Sequence, residues 1–385
     1  MPRMQRATPD DRHTRPLARL IAGLAGLMLL AAACGEEATT DGTAGTPTDG
    51  GAAVGRCGDP ERLGEALNFY NWADYIDEAV LENFEKECGV RVTMDTYTSN
   101  EEMIAKVQAG NSGYSLVIPT DYAVEILIEQ ELARPLDKEN IPNAANLDPK
   151  QLGLYYDPDN TYSFPYQYST TGLAYNETAF AEPPTSWAVL FDQNEHCGES
   201  SLLDDQYETV GASLAYLGHS WNETSDAAHE EAIDLLLEAK DCISAFDSAN
   251  FIGNLASGEV VVAEAWGFAA GIARLDNPDV RYVIPDEGGI LWQDNFVVPV
   301  DAPDPYTAEV FINYMLEPDI GALITEYTFG FTPNLKVEPL LSDDYHGIIT
   351  DGGIFIDDEV RERLEPSIRA DTKRYADTYK AVTAG

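Results

Sequence analysis

The sequence predicts an α/β protein of two lobes, each a mostly parallel sheet flanked by helices, with a helical segment at the C-terminus. Three observations carry this. From Glu65 to Thr120, strand-like and helix-like stretches alternate as β-α-β-α-β, the order that builds a parallel sheet with helices on both faces. Residues 162–176 read as one long strand, polar in its middle, and residues 280–300 as a strand, a turn and a second long strand. Such strands carry the chain between two sheets, and two crossings imply two lobes with a cleft between them. Aromatic and acidic residues also gather at strand ends, in "YNWADY" and "IPTDY", and ligands of such sheets bind outside the carboxyl ends of the strands.

The elements follow in order. "ALNFYNW" (66–72) alternates as a strand, with Leu67, Phe69 and Asn71 on one side. Tyr70, Trp72 and Tyr75 crowd its end beside Asp74 and Asp77. In residues 77–89 the apolar Ala79, Val80, Leu81 and Phe84 recur at helical spacing, and Gly89 stops the helix. Residues 90–97 alternate as a strand. A helix over 99–110 starts at the capping Ser99/Asn100 pair and ends at Gly110. "YSLVIPT" (114–120) is a short buried strand closed by Pro119. Beyond the first crossing, residues 186–192 begin a helix, 200–218 read as strand, turn and helix, 230–242 as an amphipathic helix, and 258–266 as a strand ending at Trp266. After the second crossing, 308–318 and 320–328 read as helices. The expected division is residues 57–169 and 294–338 for lobe 1, and 170–293 and 339–385 for lobe 2.

The N-terminus reads as a targeting signal. Arg3, Arg6, Arg12, Arg15 and Arg19 precede the apolar residues 20–33, a run too short to span a bilayer comfortably. "LLAAAC" resembles a bacterial lipoprotein signal over residues 1–33, with Cys34 as the lipidated residue. Ala31 stands where Leu is commoner in that pattern. Residues 34–56, rich in Gly, Thr and Asp, form a flexible tether behind the anchor. An exported chain lies in an oxidising compartment, so two disulfides are expected among Cys57, Cys88, Cys197 and Cys242. Four cysteines allow three pairings. Cys57–Cys88 with Cys197–Cys242 is preferred because each bridge would brace one domain; the sequence leaves the others open. No CxxC spacing or clustered His points to a metal, and no cofactor is expected. The 67 Asp and Glu against 23 Lys and Arg, a net charge of −44, repel nucleic acid and anionic lipid headgroups and attract cations.

Six segments, "LNFYNWADYI", "YSLVIPTDYAVEIL", "SFPYQYSTTGLAYN", "SLLDDQYETV", "EGGILWQDNFVVP" and "YTFGFTPN", resemble in that order the segments of bacterial polyamine-binding proteins. These are the spermidine/putrescine-binding components of ABC importers, with a type II periplasmic-binding-protein fold. The likeness runs from about Leu67 to the C-terminus and loosens after about Leu340. No segment is specific alone; their common order is. The resemblance implies ligand contacts from the aromatics Trp72, Tyr75, Tyr122, Trp266 and Trp292, the acids Asp205, Glu208 and Asp294, and the hydroxyl of Thr120. Ala73 departs from the family, which often has a hydroxyl residue there. Glu365 stands for a polar residue expected in the C-terminal segment. The resemblance further implies a monomeric, extracytoplasmic receptor, lipid-anchored at the outer face of the cell membrane, that hands a polyamine to an ABC permease.

The residue types suit that ligand. Methylenes gain about 0.8 kcal/mol each on burial. Ammonium groups leaving water need paired oxygens. Ring faces serve both, adding roughly 0.5–2 kcal/mol per cation. Each residue also has a plainer reading. Asp205 and Glu208 form D-x-x-E, a helix capping box; Trp72 and Trp266 could be core; Asp294 could be a solvated acid. "DPDNTY" (157–162) resembles a calcium loop without its later bidentate acid and reads as a turn. No G-x-S-x-G, H-E-x-x-H or P-loop occurs, so no enzyme is expected. The alternatives are a receptor of the same fold for another small solute and, more remotely, a hydrolase using paired carboxylates. An anion site would need Lys or Arg in the cleft segments, which hold almost none.

Overall fold

A computed structural model of the chain describes residues 55–192, 196–368 and 371–384. The signal segment 1–33, the lipidation position Cys34 and the tether up to residue 54 lie outside the described residues. Ten strands form a single sheet: β1 (Ala66–Trp72), β2 (Arg91–Tyr97), β3 (Leu116–Val117), β4 (Ser163–Asn176), β5 (Ser200–Leu202), β6 (Ile243–Phe246), β7 (Val262–Trp266), β8 (Val280–Val283), β9 (Gly289–Val297) and β10 (Leu364–Pro366). Three helices, α1 (Glu78–Cys88), α2 (Asn100–Gln108) and α3 (Asp121–Glu129), flank the first strands. Between the crossings come α4 (Ala188–Phe191), α5 (Gln206–Tyr216), α6 (Asp226–Ala239), α7 (Phe251–Ser257) and α8 (Gly267–Asp276). The remainder holds α9 (Pro305–Met315), α10 (Pro318–Thr328), α11 (Asp343–Gly352), α12 (Asp358–Glu362) and α13 (Thr372–Thr383).

The strand order is β2-β1-β3-β9-β4-β7-β5-β6, with β10 added to β9 and β8 to β4. The sheet therefore has two parallel wings, β1 with β2 and β3, and β5 with β6 and β7. The antiparallel pair β4 and β9 joins them. β4 changes partners along its length. Residues up to Thr171 pair with β9, and Thr171 also begins the pairing with β7, opposite Trp266. The register between β4 and β9 shifts between Pro165 and Gln167, where proline has no N–H to give the ladder.

Alternation along each strand sorts the cores. On β1, Leu67 and Phe69 join a core with Phe84, Phe296 and Phe311, whereas Tyr70 joins Tyr97, Met103 and Leu127 on the opposite face. On β7, Ala263 and Ala265 face one core and Val262 the other. The helices begin as their caps dictate. Asp77 accepts from the Ala79 N–H at 2.9 Å and Gly89 closes α1 at φ 73°, a left-handed turn that glycine adopts without a Cβ penalty. Ser99 caps α2.

Cys57 is bonded to Cys88 and Cys197 to Cys242, the preferred pairing. The first bridge ties the chain entry to the last residue of α1. Beside it Arg56 clasps Asp319 of α10 through two 2.8 Å contacts. Two differences from the sequence reading stand out. The helix at 186–192 shrinks to the four residues of α4. The strands β6 and β10 were not foreseen; each is too short to show a period, and their pairing is decided by distant parts of the chain. The "DPDNTY" loop is a turn: Asp157 accepts from the N–H groups of Thr161, Tyr162 and Ser163 at 2.8–2.9 Å.

Candidate functional site

The carboxyl ends of β1, β3 and β7 meet where β4 and β9 cross. Asp294, on β9 opposite Gln167 of β4, is 4% exposed. Thr120, the N-cap residue of α3, donates its hydroxyl to Asp294 Oδ1 at 2.7 Å and accepts from Asn100 Nδ2 at 3.1 Å. Two tyrosines face the same carboxylate. Burial first, and the Asp294 charge second, hold the hydroxyls of Tyr75 and Tyr97 well above the ordinary phenol range, so both remain neutral. Tyr97 and Trp72 donate to the same acceptor, the carbonyl of Ile118, Trp72 at 2.9 Å. Their rings are 4.5 Å apart. This packing turns the half-exposed face of Trp72 into a fixed wall.

A run of rings leads away from Asp294. Tyr75 meets Phe268 at 6.0 Å. Phe268 stacks on Trp266, 5.9 Å apart and nearly parallel at 8°, and meets Trp292 edge-on at 6.1 Å. Trp292 is steadied by its indole N–H, which donates to Thr171 Oγ1 at 3.3 Å. Phe268 was missed by the sequence reading, although "WGF" follows a strand end just as "YNWADY" does. Its ring joins three residues singled out separately, Tyr75, Trp266 and Trp292. Tyr75 belongs to the first wing and Phe268 to the second, so this contact bridges the two wings. So does Tyr122 against Tyr207, at 5.2 Å. The Tyr122 hydroxyl donates to Glu101 Oε1 at 3.2 Å.

A second acidic group lies at the N-terminus of α5. Asp205 caps the helix, accepting from the N–H groups of Tyr207 and Glu208 at 2.8 and 3.2 Å, so the capping reading of Asp205 holds. Glu208 is 2% exposed. Glu264, two residues before Trp266 on β7, is fully buried and feels the Glu208 charge. Glu264 Oε2 accepts from the Leu203 N–H at 3.0 Å and the Thr209 hydroxyl at 3.1 Å. Burial, then the Glu208 charge, push its carboxyl well above the usual carboxylate range. Glu264 too was missed, although a lone acid in the apolar strand "VVVAEAW" was a signal.

Glu365 pairs opposite Ile290 of β9, two residues before Trp292. It lies on β10, and its carboxylate accepts from the Ser220 hydroxyl, the Trp221 N–H at 3.1 Å and Asn222 Nδ2 at 3.3 Å. It fixes the loop before α6, a partner set that local sequence does not reveal. Among the described residues, no group of three or more His, Cys, Asp or Glu side chains is placed to hold a metal ion.

Residues 79–347 match the family described as bacterial extracellular solute-binding protein. The spermidine/putrescine-binding periplasmic protein of Escherichia coli K12 is 35% identical over 324 residues, covering 83% of this chain and 92% of that protein. The putrescine/cadaverine-binding protein of Pseudomonas aeruginosa is 35% identical over 314 residues, covering 78% and 88%. Among solved structures, the spermidine/putrescine ABC transporter substrate-binding protein PotD of Streptococcus pneumoniae superposes with a TM-score of 0.72 at 32% identity, covering 83% of this chain and 99% of that one. The TpPotD lipoprotein of Treponema pallidum gives 0.73 at 27% identity, covering 83% and 100%.

Proposed function

The chain belongs to the bacterial extracellular solute-binding protein family, and from that premise we propose that it captures a linear polyamine between its two wings and delivers it to an ABC permease. Its fold is the two-lobed type II periplasmic-binding-protein fold, and its relatives are substrate-binding transport proteins rather than enzymes. Like them it works outside the cytoplasm.

The observation that carries the ligand class is the ring run Tyr75–Phe268–Trp266, branching to Trp292, with the buried carboxylate of Asp294 at its Tyr75 end. Asp294 stands beside Tyr75; Glu208 and Asp205 belong to the second wing, at the start of α5. A polyamine has charged ends and an oily middle. Rings cover the methylenes and attract the cations, while the carboxylates receive the ammonium groups that have lost water. Trp72, Thr120 and Tyr122 complete the first-wing wall. Glu365 is left out of this site because its carboxylate is already engaged.

The motion in this reading is a hinge at β4 and β9, dividing residues 57–169 and 294–338 from 170–293 and 339–385. The protein acts as a monomer held to the membrane through a lipid on Cys34, a reading supported by the lipoprotein relative. Calorimetry tests the ligand class. Putrescine and spermidine are expected to give saturable heat, and neutral sugars and uncharged diols of equal length none. Heat from the neutral solutes alone would end the polyamine reading.

A further inference from the structure

We infer that Glu264 is a neutral carboxylic acid that donates a hydrogen bond to Glu208 and so fixes the carboxylate presented to the ligand's ammonium. Only the last clause rests on the proposed function; the proton itself does not.

The two oxygens of Glu264 are in different surroundings. Oε2 already accepts two hydrogen bonds, from the Leu203 N–H and the Thr209 hydroxyl, as the carbonyl oxygen of a carboxylic acid does. Oε1 is buried and receives no protein donor, so it is the oxygen that carries hydrogen. Placed as an ionised oxygen it would be a buried, unsatisfied charge, costly in a residue with no exposure to water.

The charges around it leave the same answer. After burial, the Glu208 charge from α5 acts on it most strongly; the Leu203 and Thr209 hydrogen bonds oppose it, the Asp205 charge at the helix cap adds a smaller push, and no cation is among the strongest influences. From α13, Tyr379 faces the same cluster as a neutral phenol and donates to Asp204 at 2.6 Å. From β8, Tyr282 is a neutral phenol that feels Glu208 and is held by Thr170. Two adjacent buried carboxyls cannot both ionise cheaply, so one keeps a proton. Glu208 is the natural acceptor: it precedes Thr209, whose hydroxyl is bound to Glu264. One proton stays on the pair, and the pair shows the ligand a single negative charge with a fixed orientation. Glu264 is thus a positioning residue for Glu208.

Glu264→Gln copies the neutral acid, with a carbonyl for Leu203 and Thr209 and an N–H for Glu208. Glu264→Leu removes both. Infrared spectra at neutral pH are expected to show the carbonyl stretch of a protonated carboxylic acid in the parent and its loss in E264Q; no difference at that band overturns the proposal. Urea unfolding supplies a second reading. Below the ordinary carboxyl value of 4.5 the group is protonated folded and unfolded, and the two proteins differ least. Above it the unfolded parent releases the proton while the folded parent keeps it. The parent's folding constant then falls relative to that of E264Q, by up to about ten-fold per pH unit, until the raised folded value is reached. A gap that stays flat or closes as pH rises overturns the proposal. Neither measurement needs a ligand, so both decide the question even if the polyamine reading fails. With spermidine, E264Q is expected to bind within about three-fold of the parent and E264L about ten-fold more weakly. Equal affinity of all three overturns the positioning role and leaves polyamine capture standing.

Discussion

A single carboxylate among neutral hydroxyls is a strong receptor for a desolvated cation, and Asp294 is such a group. Thr120 donates to it, and Tyr75 and Tyr97 face it as phenols that burial and its own charge keep protonated. Asp294→Asn retains an acceptor for Thr120 and removes the charge. Spermidine affinity is expected to fall by about ten-fold or more, since a hydrogen bond to a charged group contributes about 1.5–3 kcal/mol. In the same variant the ultraviolet ionisation of buried tyrosine is expected to move to lower pH, because the second cause of its elevation is gone. An unchanged affinity removes Asp294 from the site. The residues named from the family segments were nameable because ring and acid types stand in order along the chain. Phe268 and Glu264 could not. A phenylalanine after a strand looks like core until Tyr75 is known to face it. A glutamate inside a strand looks anomalous until the Leu203 N–H and Thr209 hydroxyl, some sixty residues earlier, close around one of its oxygens.

At the level of elements, what was legible is what is decided locally. The caps Asp77 and Ser99 and the stop at Gly89 are choices made within a few residues, and the length of β4 alone shows that it must pass from one wing to the other. The short strands β6 and β10 are made by pairing with β5 and β9, so nothing nearby announces them, nor the distant partners that Glu365 on β10 takes. The disulfides act at this scale too. They close loops with separations of 31 and 45 residues, and chain entropy alone assigns each a stabilisation of about 4 kcal/mol. Replacing either pair by serine is expected to lower the unfolding free energy measured in urea by about 2–4 kcal/mol. A loss below about 1 kcal/mol would mean that the unfolded chain is already constrained there.

For the molecule as a whole, charge dominates. A net charge of −44 repels itself within one folded body and draws polycations toward it. Salt should therefore act in two opposite directions. Between about 0.1 M and 1 M, where the screening length falls from roughly 10 Å to roughly 3 Å, the thermal midpoint of the ligand-free protein is expected to rise while spermidine affinity falls. Calorimetry across that range reads both; a parallel change in the two would show that surface repulsion does not govern stability. The chain's entry into the body has a mechanical meaning. Any tug from upstream of Cys57 passes through sulfur into the end of α1, with Arg56 gripping α10 alongside. The first strand of the sheet therefore does not bear such a pull alone.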